Sequence, residues 1–288
     1  MMLLFTTMLL LILLNSAPFQ NWAVHKVTKY LSEQLNTPVH IGRIKFRLFN
    51  TLQLEQVLVC DQRQDTLLYT ARLKANIKAL DLEKNRLVLQ RAELDSLDFA
   101  LRTYDDSTGM NLNYIIRFFL SADTTRQPAR KPFVVDIREV KINHSRFSLY
   151  DLREAPKTDR FDESRIDLKE LNLHATGLQV INDSVVLDLK HLSAVDRCGL
   201  RIEHLRGHVT ISSSLLGFED LLLKTENSEL HHAFAMEYSA WKDFSRFKDD
   251  VRMSAQLDDS YINLKDIGYF APELKEYDVR LKLNGSMK

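Results

Sequence analysis

The chain reads as a mainly β protein, an antiparallel meander preceded by an N-terminal transmembrane or amphipathic helix and carrying a few short helices. Three observations predict this. From Leu67 to Ala79, Leu67, Tyr69, Ala71, Leu73, Ala75, Ile77 and Ala79 alternate with Leu68, Thr70, Arg72, Lys74, Asn76 and Lys78. A two-residue period marks a strand with one apolar and one wetted face, here ~40 Å long at ~3.3 Å per residue. A helix would mix Lys and Arg with Leu on every face. Strand-sized apolar pairs joined by short polar turns recur along most of the chain, as in a meander. Helical periodicity is confined to a few stretches, too few to cover the apolar side of the long strand.

Composition narrows the function classes. The chain has 288 residues, 45% hydrophobic and 27% charged, so it can bury a sizeable core in one large or two medium β domains. Lys plus Arg and Asp plus Glu are 39 each, and this balance argues against a nucleic-acid partner. The two cysteines, Cys60 and Cys198, either pair in an oxidising compartment or stay free thiols, and cannot make a disulfide framework.

Residues 1–36 read as a membrane anchor followed by an amphipathic helix. The run to Leu14 carries no charge, with Leu3, Leu4, Phe5, Leu9, Leu10, Leu11, Ile12, Leu13 and Leu14 as its apolar body. No basic residue precedes it, so an uncleaved anchor fits better than a cleaved signal peptide. After Pro18, the residues Phe19, Trp22, Ala23, Val27, Tyr30, Leu31 and Leu35 recur at helical spacing. That helix either lies on a membrane surface, with Trp22 as an anchor residue, or plugs the end of a sheet.

Residues 37–120 form a first β-unit. Val39 and Ile41 are out of phase with Ile44 and Phe46 across Gly42-Arg43, and Leu52 and Leu54 are out of phase with Val57 and Val59; both slips predict bulges. Asp61 to Asp65 is a polar turn into the long strand. Leu87 and Leu89 open the next strand, which Leu97, Phe99 and Leu101 close. Asn111 to Leu120 has helical spacing. The Pro-bearing segment 121–132 reads as a linker. Residues 133–288 repeat the idea, through Val135, Ile137, Val140, Ile142, Phe147 and Leu149 and then pairs such as Ile166/Leu168, Leu171/Leu173 and Leu200/Ile202. The last clean alternation, Tyr277, Val279, Leu281 and Leu283, stops close to the end, which suggests further strands in a longer natural protein.

Motifs for chemistry are missing. There is no phosphate loop, no Gly-x-Ser-x-Gly elbow and no His-Glu-x-x-His helix. His204 and His208 have metal spacing only on a helix, and their surroundings read as strand. Cys198-Gly199 reads as a packed turn. No catalytic residue, metal or cofactor is predicted.

The order of the parts resembles the N-terminal region of TamB-like proteins, within the wider AsmA-like group. The residues that carry it are Gln20-Asn21-Trp22, Tyr30-Leu31-Ser32 before Val39-His40-Ile41-Gly42, Val57 to Gln62 before Asp65-Thr66-Leu67-Leu68, Leu192-Ser193 before Cys198-Gly199-Leu200, Leu223-Lys224-Thr225 with Ser228, and Asp266-Ile267-Gly268-Tyr269-Phe270-Ala271-Pro272. The resemblance implies a single-pass inner-membrane protein with its bulk in the periplasm. Its body would be stacked β-units curled into an elongated apolar groove. Membrane phospholipids, and an outer-membrane barrel protein of the assembly machinery, would be its partners in lipid transport or outer-membrane assembly.

The residues expected to line such a groove are Ile44, Phe46, Leu67, Tyr69, Leu73, Ile77, Leu87, Leu89, Phe99 and Leu101. In the competing account the same side chains are the closed core of a membrane-tethered β-sandwich that acts as a binding or adhesin module.

Overall fold

The structure is a computed structural model that describes residues 5, 13, 16–47, 50–81, 86–105, 109–113, 134–158, 160–181, 184–240, 243 and 247–287. It is mainly β, and twelve strands form one sheet whose spatial order is the chain order. They are β1 (Val39–Arg47), β2 (Thr51–Cys60), β3 (Thr66–Asp81), β4 (Arg86–Thr103), β5 (Val134–Asp151), β6 (Arg165–Ile181), β7 (Ser184–Asp196), β8 (Arg201–Ile211), β9 (Leu215–Thr225), β10 (Glu229–Glu237), β11 (Arg252–Asn263) and β12 (Arg280–Met287). Three α-helices are described, α1 (Ala17–Leu35), α2 (Phe247–Asp250) and α3 (Leu264–Ile267), with a 3-10 turn at Pro272–Leu274.

All neighbouring strands are antiparallel except β4 and β5, which run parallel from Arg86 opposite Val134 to Thr103 opposite Asp151. The expected meander is corrected here. A chain that leaves β4 and enters a parallel neighbour must first travel back along the sheet, which a short turn cannot do. That crossover holds the linker segment and most of the helix expected at Asn111 to Leu120, and from residue 114 to 133 it lies outside the described residues. The sheet is continuous across the crossover. The sequence pairs Ile166/Leu168 and Leu171/Leu173 belong to one strand, β6, as Leu200/Ile202 and Val209/Ile211 flank and end β8. The described strands hold no second sheet to close a sandwich over the first.

The apparent phase slips are not simple bulges. Ile41 and Ile44 lie three apart on β1 yet share one buried cluster with Val57 and Ala23, against which Leu54 and Leu68 also pack. Strand neighbours three apart normally point opposite ways. Pairing nonetheless stays in register through this point, with Ile41 opposite Val57 and Ile44 opposite Leu54. The pleat therefore reverses in β1 and β2 at one level, where Gly42 faces Gln56, and Gln56 has a positive φ of 53°. The reversal continues across the sheet at Ala71 of β3, Ser96 of β4 (φ 52°), His144 of β5 (φ 50°) and Glu170 of β6 (φ 52°). The strict alternation read from Leu67 to Ala79 is thereby broken. Leu68 and Leu73 share the apolar face, because Leu68 packs in the same cluster as Leu54, and Leu54 is the direct partner of Leu73. Tyr69, between them in phase, falls on the other face opposite Asp98.

Reversing a pleat removes backbone partners, and buried orphan groups are costly. Short side chains replace them. Ser145 Oγ accepts from the Leu97 N–H at 3.0 Å and donates to the Asn143 carbonyl at 2.8 Å. Thr70 Oγ1 shares its proton between the carbonyls of Arg72 (3.1 Å) and Asp95 (3.0 Å). Asn172 Oδ1 accepts from the His144 N–H at 3.0 Å. A second line of positive φ at Gly207, Asp220, His232, Asp259 and Gly285 crosses β8 to β12. There the register does shift, and Ser260 Oγ takes the His231 N–H at 2.8 Å.

Candidate functional site

The reversals keep apolar residues on one face along almost the whole sheet. Directly opposed residues trace a single file across ten strands: Ile44, Leu54, Leu73, Leu94, Ile142, Leu173, Leu192, Leu205, Leu223 and Leu230. At about 4.8 Å per strand this file is about 43 Å long. Beyond the first line of reversals, Val39, Val59, Leu68, Phe99, Phe147 and Leu168 form a second file across β1 to β6. The Phe99 and Phe147 rings sit 6.1 Å apart.

Part of this face is covered. Helix α1 starts after Ser16 with Pro18 in its first turn and ends at Asn36, whose left-handed φ of 48° returns its N–H to the Ser32 carbonyl. Ser32 Oγ then accepts from the Val39 N–H at 3.0 Å, tying helix to strand. Phe19, Ala23, Val24 and Leu31 lie over Ile41, Ile44 and Phe46, with the Phe19 and Phe46 rings 6.1 Å apart. Among the described residues α1 makes its main contact with β1, and α3 touches β11, which leads into it. Further along, Ala175, Leu189 and Val209 are buried by other apolar side chains of β6 to β9, such as Leu173, Leu205 and Phe218, and among the described residues no other element joins this cluster.

The residues expected to line a groove are distributed accordingly. Ile44 and Phe46 lie under α1. Leu67 is sealed at the start of β3, beside a register shift where Cys60 opposes Thr66. Tyr69 is on the opposite, wetted face and exposed. Leu73 is in the long file, and Ile77 and Leu89 oppose each other four residues further along β3, past the Ala75–Ala92 pair and a register shift. Leu87 opposes Val135, and Leu101 opposes Leu149 next to Phe99. Leu54, Leu94, Ile142, Leu173, Leu192, Leu205, Leu223 and Leu230 complete the file, and sequence could not align them because pairing decides which residues stand opposite. Of the expected anchor, Phe5, Leu13 and Trp22 are described and exposed; Leu3, Leu4, Leu9, Leu10, Leu11, Ile12 and Leu14 lie outside the described residues. No helix among the described residues is long and apolar enough to cross a membrane.

The opposite face is built from charge. Lys45, Gln53, Lys74, Glu93, Lys141, His174 and His191 oppose one another in turn across seven strands. Beside them run Arg43, Glu55, Arg72, Asp95 and Asn143. Lys45 Nζ is 2.6 Å from Glu55, Arg72 2.5 Å from Asp95 and Arg91 2.7 Å from Glu139. The Lys45 hydrogen bond holds Glu55 below the usual carboxylate range, as Arg91 and Lys141 do for Glu139. Burial pushes Asp95 up, but hydrogen bonds from Asn143 and Arg72 outweigh it and leave the carboxyl lowered. A polar hollow of about 520 Å³ opens on this face between Lys74, Arg91, Glu93, Arg138 and Glu139. At the other end of the sheet a hollow of about 350 Å³ is bordered by Phe218, Phe234, Ala255 and Met287, which oppose one another in turn on β9 to β12.

One end of the sheet is fastened by buried carboxylates. Asp61 accepts from the N–H groups of Arg63 and Asp65, from Asn111 Nδ2 at 3.0 Å and from the Tyr104 hydroxyl at 2.7 Å. Burial pushes Asp61 up, and these hydrogen bonds more than reverse it. Asp196 builds the same five-residue turn before Leu200, with Gly199 at φ 96° where Gln64 has φ 67°. The turn at Cys198-Gly199 is the packed turn expected from sequence. Asp266 Oδ2 accepts from Thr225 at 2.5 Å and Ser228 at 2.6 Å. Cys60 and Cys198 are not joined in a disulfide, and burial pushes Cys198 up to about 11.

His204 and His208 stand on strand β8 as expected, and the partner of His204 is His191 on β7, at 2.7 Å between Nδ1 atoms. Sequence spacing could not show a pair formed across strands. Among the described residues no group of three or more His, Cys, Asp or Glu is gathered to hold a metal. Comparison with known proteins finds no family model that matches the chain and no curated protein that matches it.

Proposed function

We propose that this protein holds the acyl chains of phospholipids along its apolar sheet face, as an inner-membrane-anchored periplasmic protein of the cell envelope. In this reading the face is the wall of a curled groove, and the chain takes part in moving lipid to the outer membrane or in assembly there. No chemical step is involved. An outer-membrane barrel protein is the proposed docking partner, as the TamB-like resemblance implies.

One observation carries the reading. An unbroken file of ten large apolar side chains crosses the sheet, and among the described residues helix α1 is laid over only its first strands. Apolar surface of that extent marks a binding surface when left uncovered. The opposite face is wetted by ion pairs, so only one side of the sheet is suited to lipid. A sandwich module would need a second sheet, and the described strands supply one sheet only.

The test is a photo-crosslinking residue placed at Leu192, in the file, and separately at Lys141, on the charged face. The expected result is a crosslink to phospholipid from Leu192 and none from Lys141, with phospholipid extracted from the purified chain. A folded chain that carries no lipid and crosslinks none at either position overturns the proposal.

A further inference from the structure

Helix α1 has two working sides, and only one is used by the sheet. Phe19, Ala23, Val24 and Leu31 face β1 and β2. On the outward side Trp22, Lys26, Lys29 and Glu33 follow at spacings of four, three and four, which places them within about 60° of one another around the helix, and Tyr30 lies at the margin next to the Phe19 and Ala23 side. Trp22 is 57% exposed and Tyr30 60%, unusual values for large aromatic side chains. The Trp22 ring is tilted 39° against that of Phe19, with centroids 5.5 Å apart, and more than half of the residue stays in solvent. Lys26 and Lys29 are exposed beside them, and the one acidic residue of the stripe, Glu33, is 3.8 Å from Lys29. The uncharged run to Leu14 comes immediately before, and its described residues Phe5 and Leu13 are exposed as well.

We infer that this outward stripe is a membrane-surface contact that lays α1 in the headgroup region of an anionic phospholipid bilayer. The chemistry of the stripe selects that occupant. Trp and Tyr combine an apolar ring with a polar tip and favour the boundary between acyl chains and water. Lysines beside them are drawn to anionic headgroups, each contributing about 1 kcal/mol near the surface. A protein partner would call for a flatter or more apolar stripe without the lysine pair. The inner side of the same helix covers Ile44, the first residue of the file, and Phe46 beside it, so the contact would set the covered end of the sheet against the bilayer. The inference goes beyond the proposed lipid-holding function, since the stripe lies off the apolar face.

The experiment uses the full chain with Trp241→Phe, which leaves Trp22 as the one tryptophan. Vesicles of phosphatidylethanolamine and phosphatidylglycerol carry bromine either high on the acyl chain or near its end. The expected result is a blue-shifted Trp22 emission, quenched at least twofold more by the high bromine, and loss of most of that quenching in Lys26→Glu/Lys29→Glu. Residues 1–14 are unchanged in that variant and are able to hold it on vesicles, so quenching of Trp22, rather than binding, is the readout. A chain bound to vesicles with Trp22 emission unshifted and unquenched overturns the inference, as does a chain that does not bind. Crosslinking at Leu192 is read on the same charge-reversed variant and stays unchanged if the two surfaces are independent, so failure of one reading is told apart from failure of the other.

Discussion

The two ends of the sheet carry the same kind of apolar side chain and treat it differently. Under α1, Ile41 and Ile44 of β1 are 1% and 3% exposed. On β12, Leu281 and Met287 are 42% and 58% exposed, although Met287 directly opposes Ala255 and Leu281 opposes Ile262. Pairing on one side only, as at this edge, therefore leaves side chains about half wet, and at the other edge α1 supplies the missing cover. Inside the sheet, Ala175, Leu189 and Val209 are sealed by apolar neighbours on both flanking strands. The difference also says where substitution will matter.

The largest expected effect is at the covered end. Ile44→Ala removes buried methylene groups beneath the helix and should cost about 3 kcal/mol. Leu281→Ala should stay within about 0.5 kcal/mol, as for other surface changes. Urea titration together with hydrogen exchange on β1 and β2 amides measures both, and equal losses at the two ends would erase the contrast. Next comes the fastened end of the sheet. Asp61→Ala strips four donors of their buried acceptor and should cost about 2–3 kcal/mol. Asp278, exposed and held by Lys265 and Asn263, should cost little when replaced by Ala.

A smaller effect sharpens the comparison between the two lines of pleat reversal. Ser145→Ala and Ser260→Ala each orphan one backbone N–H and should each cost about 1–2 kcal/mol. Hydrogen exchange should show loosening confined to β4 to β6 for the first and β10 to β12 for the second. Loosening that spreads to both would mean the lines are one cooperative unit. The smallest separation is in pH. Glu55, Asp95 and Glu139 titrate below the ordinary carboxylate range in the folded chain, held down by their cationic and amide partners. The unfolded chain then binds protons before the folded one does. Their stabilisation is complete above the ordinary range and is lost as pH falls through the lowered folded values. Exchange in β2 to β5, corrected for its intrinsic pH dependence, should rise over that acid window and stay level between pH 6 and 8.

Much of the strand content was legible because it rests on local alternation. The run from Val135 to Leu149 read as strand and lies in β5; of the last alternation Leu281 and Leu283 lie in β12, while Tyr277 and Val279 fall before it. The phase slips at Gly42-Arg43 and between Leu54 and Val57 were visible too, yet their meaning was not. An inserted residue and a matched reversal in neighbouring strands leave the same trace in one strand. The sign lay in Asn143-His144-Ser145 and Asp258-Asp259-Ser260, where a residue able to adopt positive φ precedes a hydroxyl that replaces the lost partner. Tyr69 was misplaced for the same reason, since strict alternation assumes an even pleat.

By itself the sequence determined which stretches are strands, which turns are polar, that charge is balanced, and that a helix with an apolar side stands at the start. Those properties depend on neighbours within a few positions, where backbone geometry and side-chain period are local. Only the tertiary structure decided that β4 and β5 run parallel, that all twelve strands share one sheet, and that Ile44, Leu94, Leu192 and Leu223 stand in one file. Register between strands is set by contacts between residues far apart in the chain, and a shift of one residue turns every side chain to the other face.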